Sequence, residues 1–401
     1  MSESQLVYDC IIVGAGISGL SFAHYLSKEN QKVLVLEKEN ECGGQIKTWQ
    51  SADSDFWCEL GAHTCYNMYS NLLSIVKDLS ADSEVFPMQN RSYMMYASGR
   101  LKSVFSQLSL SSMATHCLKI LGNNKKGKTV REYFEPVVGA RNYCPLFSNL
   151  FRAVISQNAD DYPAELFLKK RKNRMGEFPH KYTFQKGIGA LLDAIVERNR
   201  LSVQYGTSAI SVSLVDSLYA VSANDGIYYA KNIAFATDPQ TAGRLAKEID
   251  SDVSGTLSSI ELSHTESFGV IVEKDSISFL KEIAGIVPMN DDFFSVVARD
   301  AVSHLLYRGF TFHFGEGRYS LEEQLDTVCK VLAIDKNQII EYSTTRHVLP
   351  SLRMKDVNVA DSINAHRNAY FLGNYFFGLS LEDCVHRSLV EYERYKSNLA
   401  K

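Results

Sequence analysis

The most constraining feature of this sequence is an apolar run that leads directly into a glycine-rich turn. Val7 to Val13 is bounded by polar residues, as a buried parallel strand is, and Gly14-Ala15-Gly16-Ile17-Ser18-Gly19 follows at once. Apolar residues then repeat at helical spacing as far as Lys28, and a second apolar run, Lys32 to Leu36, ends at Glu37. This order of strand, glycine turn, helix, strand and acid is typical of a β-α-β unit that binds an adenine dinucleotide.

Each glycine of such a turn is needed for a different physical reason. Gly14 allows the tight turn, Gly16 lets the backbone approach a pyrophosphate, and Gly19 lets the helix pack close to the sheet. The helix N-terminus offers unpaired N–H groups and positive dipole to the phosphates. The Glu37 carboxylate can accept both ribose hydroxyls and would repel a 2′-phosphate. The residues predicted to bind the dinucleotide here are Gly14, Gly16, Ile17, Ser18, Gly19, Glu37 and Lys38.

Composition narrows the class of protein further. The 401 residues suit two domains, and a net charge of −4 gives no sign of nucleic acid as a partner. The first residues lack the pattern of a signal peptide, and no apolar run predicts a transmembrane helix. The 8 cysteines include no Cys-x-x-Cys pair, so we expect free thiols in the cytoplasm. Cys58, His63 and Cys65 lie close together, but no second ligand pair accompanies them, and we expect no metal site.

Beyond Glu37 the sequence resembles the flavin-containing amine oxidase and protoporphyrinogen oxidase superfamily. Gly43-Gly44-Gln45 stands where members carry Gly-Gly-Arg, so Gln45 departs from the pattern. Glu59-Leu60-Gly61-Ala62-His63 matches the acidic-x-Gly-x-x segment that passes near the flavin ring. The resemblance implies that the dinucleotide is FAD. It adds as cofactor-binding residues Gly43, Gly44, Gln45, Gly61, Ala62 and His63.

The resemblance continues in the second half of the chain. Phe184 to Leu191 is similar to the family's Gly-Gly-x-x-x-Leu helix start, and Thr207 to Ile210 resembles the strand that contacts the adenine, at Ala209. Phe371 to Val385 resembles the protoporphyrinogen oxidase version of a strand, a glycine turn and a helix N-terminus. Such a terminus places positive dipole at the pyrimidine end of a flavin, where it stabilises the anionic reduced state. The residues implied here are Gly373, Asn374, Leu381 and Val385.

The fold class predicted from these segments is α/β. A Rossmann-like FAD-binding domain, with a parallel sheet plus a β-meander, is expected beside a discontinuous α+β substrate domain. Helices are expected at 72–80, 103–121 and 145–156, strands at 227–230 and 232–236, and one helix among strands over 265–313. The FAD-binding domain is predicted at 1–75, 187–255 and 350–401, and the substrate-binding domain at 76–186 and 256–349, its helical part at about 95–186.

The resemblance implies removal of a hydride from a substrate carbon, next to nitrogen in an amine, pyrroline or porphyrinogen, with reoxidation by dioxygen. His63 is a candidate to take a substrate proton, with a structural histidine as the alternative. Tyr375 is a second catalytic candidate, with core packing as its alternative. Arg141 and Arg308 are weaker candidates for binding a substrate carboxylate.

Two other functions stay open at this stage. A redox-neutral flavin mutase acting on a nucleotide sugar is suggested by Gly61-Ala62-His63 with Tyr66-Asn67, and an FAD-binding protein without turnover by Gln45 and the unusual Arg346-His347. The basic run Lys169 to Lys172 is expected to be a solvated face, with an anionic substrate or membrane headgroup as the alternative. Peripheral membrane contact and the oligomeric state are also left open.

Overall fold

The computed structural model of the chain describes residues 6–289, 292–363 and 368–399. Its strands are β1 Val7–Val13, β2 Val33–Leu36, β3 Thr48–Gln50, β4 Trp57–Glu59, β5 Cys65–Tyr66, β6 Val85–Pro87, β7 Tyr93–Ala97, β8 Arg100–Ser103, β9 Lys181–Phe184, β10 Ser202–Gln204, β11 Ala209–Val215, β12 Leu218–Ala223, β13 Gly226–Phe235, β14 Leu262–Glu273, β15 Gly285–Pro288, β16 Ser295–Ala298, β17 Tyr307–Gly315, β18 Ile339–Pro350 and β19 Ala369–Phe371. Its α-helices are α1 Ile17–Ser27, α2 Ser70–Asp78, α3 Leu110–His116, α4 Val130–Val138, α5 Ala140–Asn142, α6 Ser148–Ile155, α7 Gly189–Arg198, α8 Pro239–Ala246, α9 Ser251–Ser258, α10 Leu321–Leu332, α11 Val359–Ser362 and α12 Leu381–Leu399.

The first sheet combines parallel strands with an antiparallel meander. Its order is β10-β2-β1-β13-β12-β11, and β19 also pairs with β13. The pairs that join β10, β2, β1, β13 and β19 are parallel, whereas β11, β12 and β13 pair antiparallel. This arrangement confirms the predicted α/β fold class.

One strand of that sheet is longer than the sequence suggested. The two strands expected at 227–230 and 232–236 form the single strand β13. The polar Lys231 looks like a break, but its ammonium lies on the exposed side and donates to Asp9 Oδ1 at 2.8 Å. Pairing with β1 along Tyr229 to Phe235 keeps the backbone extended past it.

The second sheet also has seven strands and is mostly antiparallel. Its order is β18-β14-β17-β16-β15-β7-β8, with β15 and β7 parallel. Along β17, Phe310, Phe312 and Phe314 pack into a core with α10, so Gly309 and Thr311 lie on the other face, since strand side chains alternate. Two turns of 3₁₀ helix, at Asp275–Ile277 and Arg299–Ala301, stand where an α-helix was expected over 265–313.

The helix expected at 103–121 is broken into short pieces. Only α3 in its middle is α-helical, and 3₁₀ turns flank it at Val104–Gln107 and Cys117–Ile120. Serine hydroxyls compete for the backbone here, as when Ser106 Oγ donates to the Ser103 carbonyl at 2.6 Å. Asn142 holds Ser109 from both sides, accepting from its N–H at 2.7 Å and donating to its carbonyl at 3.1 Å.

The strands of the first sheet fall within the ranges predicted for the FAD-binding domain, and the second sheet lies almost entirely in the other ranges. The domain division itself stays a prediction, and its parts at 1–5, 290–291, 364–367 and 400–401 lie outside the described residues. In the described part of the chain, no helix is long and apolar enough to cross a membrane. Free thiols are seen at Cys10, Cys42, Cys58, Cys65, Cys144, Cys329 and Cys384.

Candidate functional site

The two glycine turns of the sequence meet at one edge of the first sheet. Strands β1, β13 and β19 are parallel neighbours in register, with Val13 opposite Phe235 and Phe235 opposite Phe371. Gly14 and Gly373 therefore leave the sheet at the same, carboxyl edge, where open α/β sheets bind their ligands. Helices α1 and α12 follow these turns and contact each other, since Ser388 Oγ donates to the Ser18 carbonyl at 2.8 Å.

The first turn has the close approaches that exclude side chains. Gly14 has a φ of 107°, and a Cβ there would stand 2.6 Å from the Ala236 carbonyl oxygen. A Cβ on Gly19 would stand 2.0 Å from the Gly14 carbonyl oxygen. A Cβ on Gly16 would meet nothing nearer than 3.8 Å, so the space in front of this residue is open.

Glu37 lies at the end of β2 and is buried beside the first turn. Its carboxylate accepts from the Ala15 N–H at 2.7 Å and from the Glu39 N–H at 3.0 Å. Its backbone carbonyl accepts from the Thr207 N–H at 2.8 Å, which brings the segment before Ala209 to the same place. Lys38 points to solvent and lies 3.7 Å from Glu39. The acid thus joins the glycine turn to the predicted adenine-side segment.

The double glycine extends this cradle as the sequence indicated. Gly43 and Gly16 form an isolated parallel bridge, and the Gly43 N–H donates to the Ala15 carbonyl at 3.1 Å. Gly43 and Gly44 have φ values of 157° and 60°, and a Cβ on Gly44 would stand 3.3 Å from Gly16 Cα. The two glycine segments therefore lie directly against each other.

Gln45 contacts the second unusual residue that the sequence revealed, His347 on β18. The His347 Nδ1 lies 3.0 Å from Gln45 Oε1, and its Nε2 lies 2.8 Å from the Leu60 carbonyl oxygen. Gln45 Nε2 donates to the Val348 carbonyl at 3.0 Å. A Cβ on Gly61 would stand 2.1 Å from the Gln45 carbonyl oxygen and 3.3 Å from His347 Cε1. The two departures from the family pattern thus form one hydrogen-bonded unit beside Gly61.

The C-terminal turn is held by charges from the long middle connection. Asp383, in the first turn of α12, accepts from Ser380 Oγ at 2.6 Å and from Arg171 Nη2 at 2.8 Å, and Lys169 Nζ lies 3.4 Å away. Lys169 also donates to the Phe377 carbonyl. The prediction that the basic run is a solvated face is therefore wrong for Lys169 and Arg171, which bind the start of α12.

A cavity of about 90 Å³ lies between the Glu59–Thr64 segment and β17 of the second sheet. We call it the central cavity, and its walls include Glu59, His63, Thr64, Gly309 and Thr311. A Cβ on Gly309 would stand 2.0 Å from Cys58 Sγ, and Thr311 Oγ1 donates to the Glu59 carbonyl at 2.8 Å. These contacts fix the cavity wall against the segment that carries His63.

His63 lines the cavity as a neutral imidazole. Burial lowers its pKa to about 4, and its Nδ1 lies 2.9 Å from Thr64 Oγ1. His313, on the same face of β17 as Thr311, has its pKa lowered to about 3 by burial and by the neighbouring His347 and His63. A neutral histidine can take up a proton, which keeps the predicted role of His63 chemically open.

Glu59 is a buried carboxyl group in the same wall. Burial raises its pKa to about 8, although the Ile188 N–H at 2.6 Å and Thr48 Oγ1 at 2.8 Å both donate to it and favour the charged form. The Gly189 N–H in turn donates to Thr48 Oγ1 at 2.9 Å. Glu59 therefore connects the cavity to the start of α7 and is mostly protonated at neutral pH.

The structure does not bring every candidate to the cavity. Tyr375 is fully buried against Phe376, with ring centres 4.5 Å apart, and its hydroxyl has no partner among the described residues. That position favours the core-packing alternative. The prediction that Arg308 binds a substrate carboxylate is wrong. Its guanidinium is buried against Asp300, with Nε 3.0 Å from Oδ1, and also donates to the Leu280 carbonyl, so it is not free to bind a substrate. Arg141 is exposed.

The remaining predicted positions lie along the two turns. Asn374 and Ala62 are partly buried, and those in the interior are Ile17, Ser18, Ala209, Leu381 and Val385. In the described part of the chain, no three His, Cys, Asp or Glu side chains are grouped closely enough to hold a metal ion. Sequence reasoning missed Arg91 and Arg299, which line the cavity. Their position in the cavity wall depends on how the strands of the second sheet pair, and no local sequence motif indicates it.

Part of this chain is similar in sequence to known proteins. Residues 12–79 match the family of NAD(P)-binding Rossmann-like domains. The 15-cis-phytoene desaturase of Narcissus pseudonarcissus is 33% identical over 91 residues, which are 21% of this chain and 16% of that protein. The chain therefore spans a small part of the curated relatives it matches.

Solved structures match almost the whole chain. A protein named as a protoporphyrinogen oxidase from Exiguobacterium sp. 255-15 superposes with a TM-score of 0.79 and 16% identity, covering 99% of this chain and 100% of that one. Cyclohexylamine oxidase from Brevibacterium oxydans gives 0.73 and 12%, with 99% and 100% covered. These matches show a shared fold. This fold is the one that the resemblance in the sequence implied.

Proposed function

We propose that this chain is an FAD-dependent oxidoreductase that removes a hydride from a substrate C–H group in the central cavity. The observation that carries the proposal is the meeting of the two glycine turns at one sheet edge. The Ala62 N–H donates to the Gln45 carbonyl at 3.3 Å, which connects the double glycine to the cavity wall that carries His63. The Rossmann-like match over residues 12–79 and the oxidase fold support the same assignment. The two-domain division predicted from the sequence is part of this proposal.

The residues present fit the dinucleotide. Helix α1 begins at Ile17, with Gly16 as its N-cap residue, and within the described part of the chain it has no side-chain cap and no acid in its first turn. Its N–H groups are therefore available to a phosphate, and the open space in front of Gly16 gives the phosphate room. Glu37, Gly43 and Gly44 would hold the adenosine and pyrophosphate part of the dinucleotide, and Gly373 with the start of α12 would hold the flavin part.

The side chains of this protein would orient the substrate and exclude water from the site. FAD supplies the hydride acceptor, at flavin N5. His63, neutral at physiological pH, would accept a substrate proton, while Thr311 and Glu59 hold the wall that faces it. The Gln45–His347 unit would fix the Leu60–Gly61 backbone against the flavin edge, in the place where the family uses an arginine. Dioxygen is the electron acceptor that we propose for reoxidation.

Flavin content tests this assignment. Gly16→Val should leave the protein folded, because the new Cβ meets only ordinary contacts, but its methyl groups fill the phosphate space and FAD should be lost. Gly255→Val is a matched control, since nothing lies within 4 Å of a Cβ at that position in α9. Both variants and the native protein are purified, and flavin released on denaturation is measured by absorbance. Native protein without flavin, or full flavin content in Gly16→Val, would contradict the proposal. Bleaching by substrate followed by return of colour in air tests the acceptor.

A further inference from the structure

The lining of the central cavity is strongly basic. Arg91, Lys181 and Arg299 contribute to it, and Glu59 is the acidic residue among the described lining residues. Burial raises the pKa of Glu59 to about 8, so this carboxyl group is mostly uncharged at neutral pH. The cavity thus presents cationic groups with little negative charge of its own to balance them.

Arg299 is the best-defined of these groups. Its guanidinium carbon lies 4.3 Å from the ring centre of Trp57 and 4.4 Å from that of Phe56. Nη1 donates to the Val302 carbonyl at 2.7 Å, while Nε is buried without a hydrogen-bond partner in the described part of the chain. Two aromatic rings therefore hold the guanidinium in place and leave it hydrogen-bonding capacity.

No carboxylate of a described residue forms a close ion pair with Arg299, although Asp55, Glu59 and Asp300 act on its charge from farther away. The adjacent Asp300 is occupied by Arg308 at 3.0 Å and by the Ile283 N–H at 2.8 Å. A partly buried guanidinium without a counter-ion in contact is costly, because more distant charges offset only part of its desolvation. An anionic ligand in the cavity would supply that charge.

Two further groups in the lining have unused capacity. Lys181 is half-buried and forms no ion pair with another described residue, whereas Arg91 is paired with Glu282 and keeps a buried Nε without a partner. Thr183, two residues after Lys181 on β9, is 1% exposed and its hydroxyl also has no partner in the described chain. Hydrogen-bond donors from three separate segments therefore surround the same space.

We propose that the central cavity binds its ligand through an oxyanion, a carboxylate or a phosphate group, with Arg299 as its main partner. The inference rests on the proposed function in treating this cavity as the substrate site. It narrows the substrate class: a simple amine, cationic at neutral pH, would be repelled by the lining, whereas an acid that also carries an oxidisable C–H group would be attracted. Guanidinium groups bind both oxyanions in a bidentate manner.

The fluorescence of Trp57 gives a direct measurement, because Arg299 stacks on its ring and the chain has 2 tryptophans in all. The protein as purified is titrated with benzoate, phenyl phosphate and benzylamine, which share one ring and differ in head group. We expect saturable binding of at least one of the two anions and at least tenfold weaker binding of benzylamine. The tighter anion identifies the oxyanion. Equal or tighter binding of benzylamine would overturn the proposal.

Variants then assign the interaction to Arg299. Arg299→Met keeps an unbranched side chain against Phe56 and Trp57 but removes the charge, and should weaken anion binding at least tenfold. Arg100→Met, on the exposed β8, is the control and should bind the anion as the native protein does. Unchanged binding by Arg299→Met would contradict the assignment. The ligand series on native protein decides the question even if this variant fails to fold. Since the readout needs no flavin, anion binding by a flavin-free protein would reject the proposed function but keep this inference.

Discussion

Replacing Glu59 by glutamine should make the stability of the protein less dependent on pH between about 5 and 8. Glu59 is 6% exposed, and burial raises its pKa from 4.5 to about 8. In the unfolded chain the carboxyl group loses its proton near pH 4.5, whereas in the folded protein it keeps the proton until about pH 8. The stabilisation is therefore fully present below pH 4.5 and is lost as the pH rises to 8.

The size of the effect follows from that interval. At about 1.4 kcal/mol per pH unit, the free energy of unfolding should fall by about 5 kcal/mol as the pH rises from 4.5 to about 8. An unfolding entropy of about 2 cal/mol/K per residue converts this into a decrease of about 6 °C in Tm for a chain of 401 residues. Glutamine reproduces the protonated carboxyl: its Oε1 can accept from the Ile188 N–H, and its amide can donate to Thr48 Oγ1.

Thermal unfolding monitored by circular dichroism at pH 5, 6, 7 and 8 would measure this. The difference in Tm between Glu59→Gln and the native protein should increase steadily with pH, in favour of the variant. Glu273→Gln, at an exposed position of β14, is the matched control and should run parallel to the native protein. Parallel curves for Glu59→Gln as well would show that Glu59 is already ionised in the fold and would refute the reasoning.

Three further results are expected. His63→Ala should slow flavin reduction about a hundredfold while changing the Kd for FAD by less than threefold; a native reduction rate in stopped flow would make His63 structural. Gln45→Ala and His347→Ala should each weaken FAD binding about tenfold in a fluorescence titration. Because the two side chains share one hydrogen-bonded unit, the double variant should bind FAD no more weakly than either single variant, and additive losses in binding free energy would contradict that coupling. Arg308→Met should lower the free energy of unfolding in urea by about 3 to 5 kcal/mol, because it leaves Asp300 buried and unpaired; a loss below about 1 kcal/mol would show that the pair is dispensable.

The sequence was sufficient where the site is local. The turn from Gly14 to Gly19 and the acid at Glu37 lie within one β-α-β unit, so spacing alone predicted their arrangement. Gly373 could be placed because the strand and helix around it resemble a known family. For such segments, the short-range order of apolar residues and glycines carries most of the information.

The rest depends on contacts between distant segments. Gln45 and His347 are 302 positions apart, so two departures that looked independent in the sequence proved to be one unit in the structure. Arg171 and Asp383 are 212 positions apart, and a basic run that looks solvated becomes an anchor for α12. Arg299 owes its place to the pairing of the second sheet, which periodicity does not specify.

The meeting of the two glycine turns also bears on when the protein becomes functional during synthesis. The β1 and β13 segments leave the ribosome first, but β19, which pairs with β13, begins at Ala369, 134 residues after β13 ends at Phe235. At about 5 to 20 residues per second, that delay is roughly 7 to 27 s. Throughout it, the edge of β13 that receives β19 is unpaired and apolar. The nascent chain must therefore protect an open sheet edge until its last strand arrives, and cofactor capture would mark the end of folding.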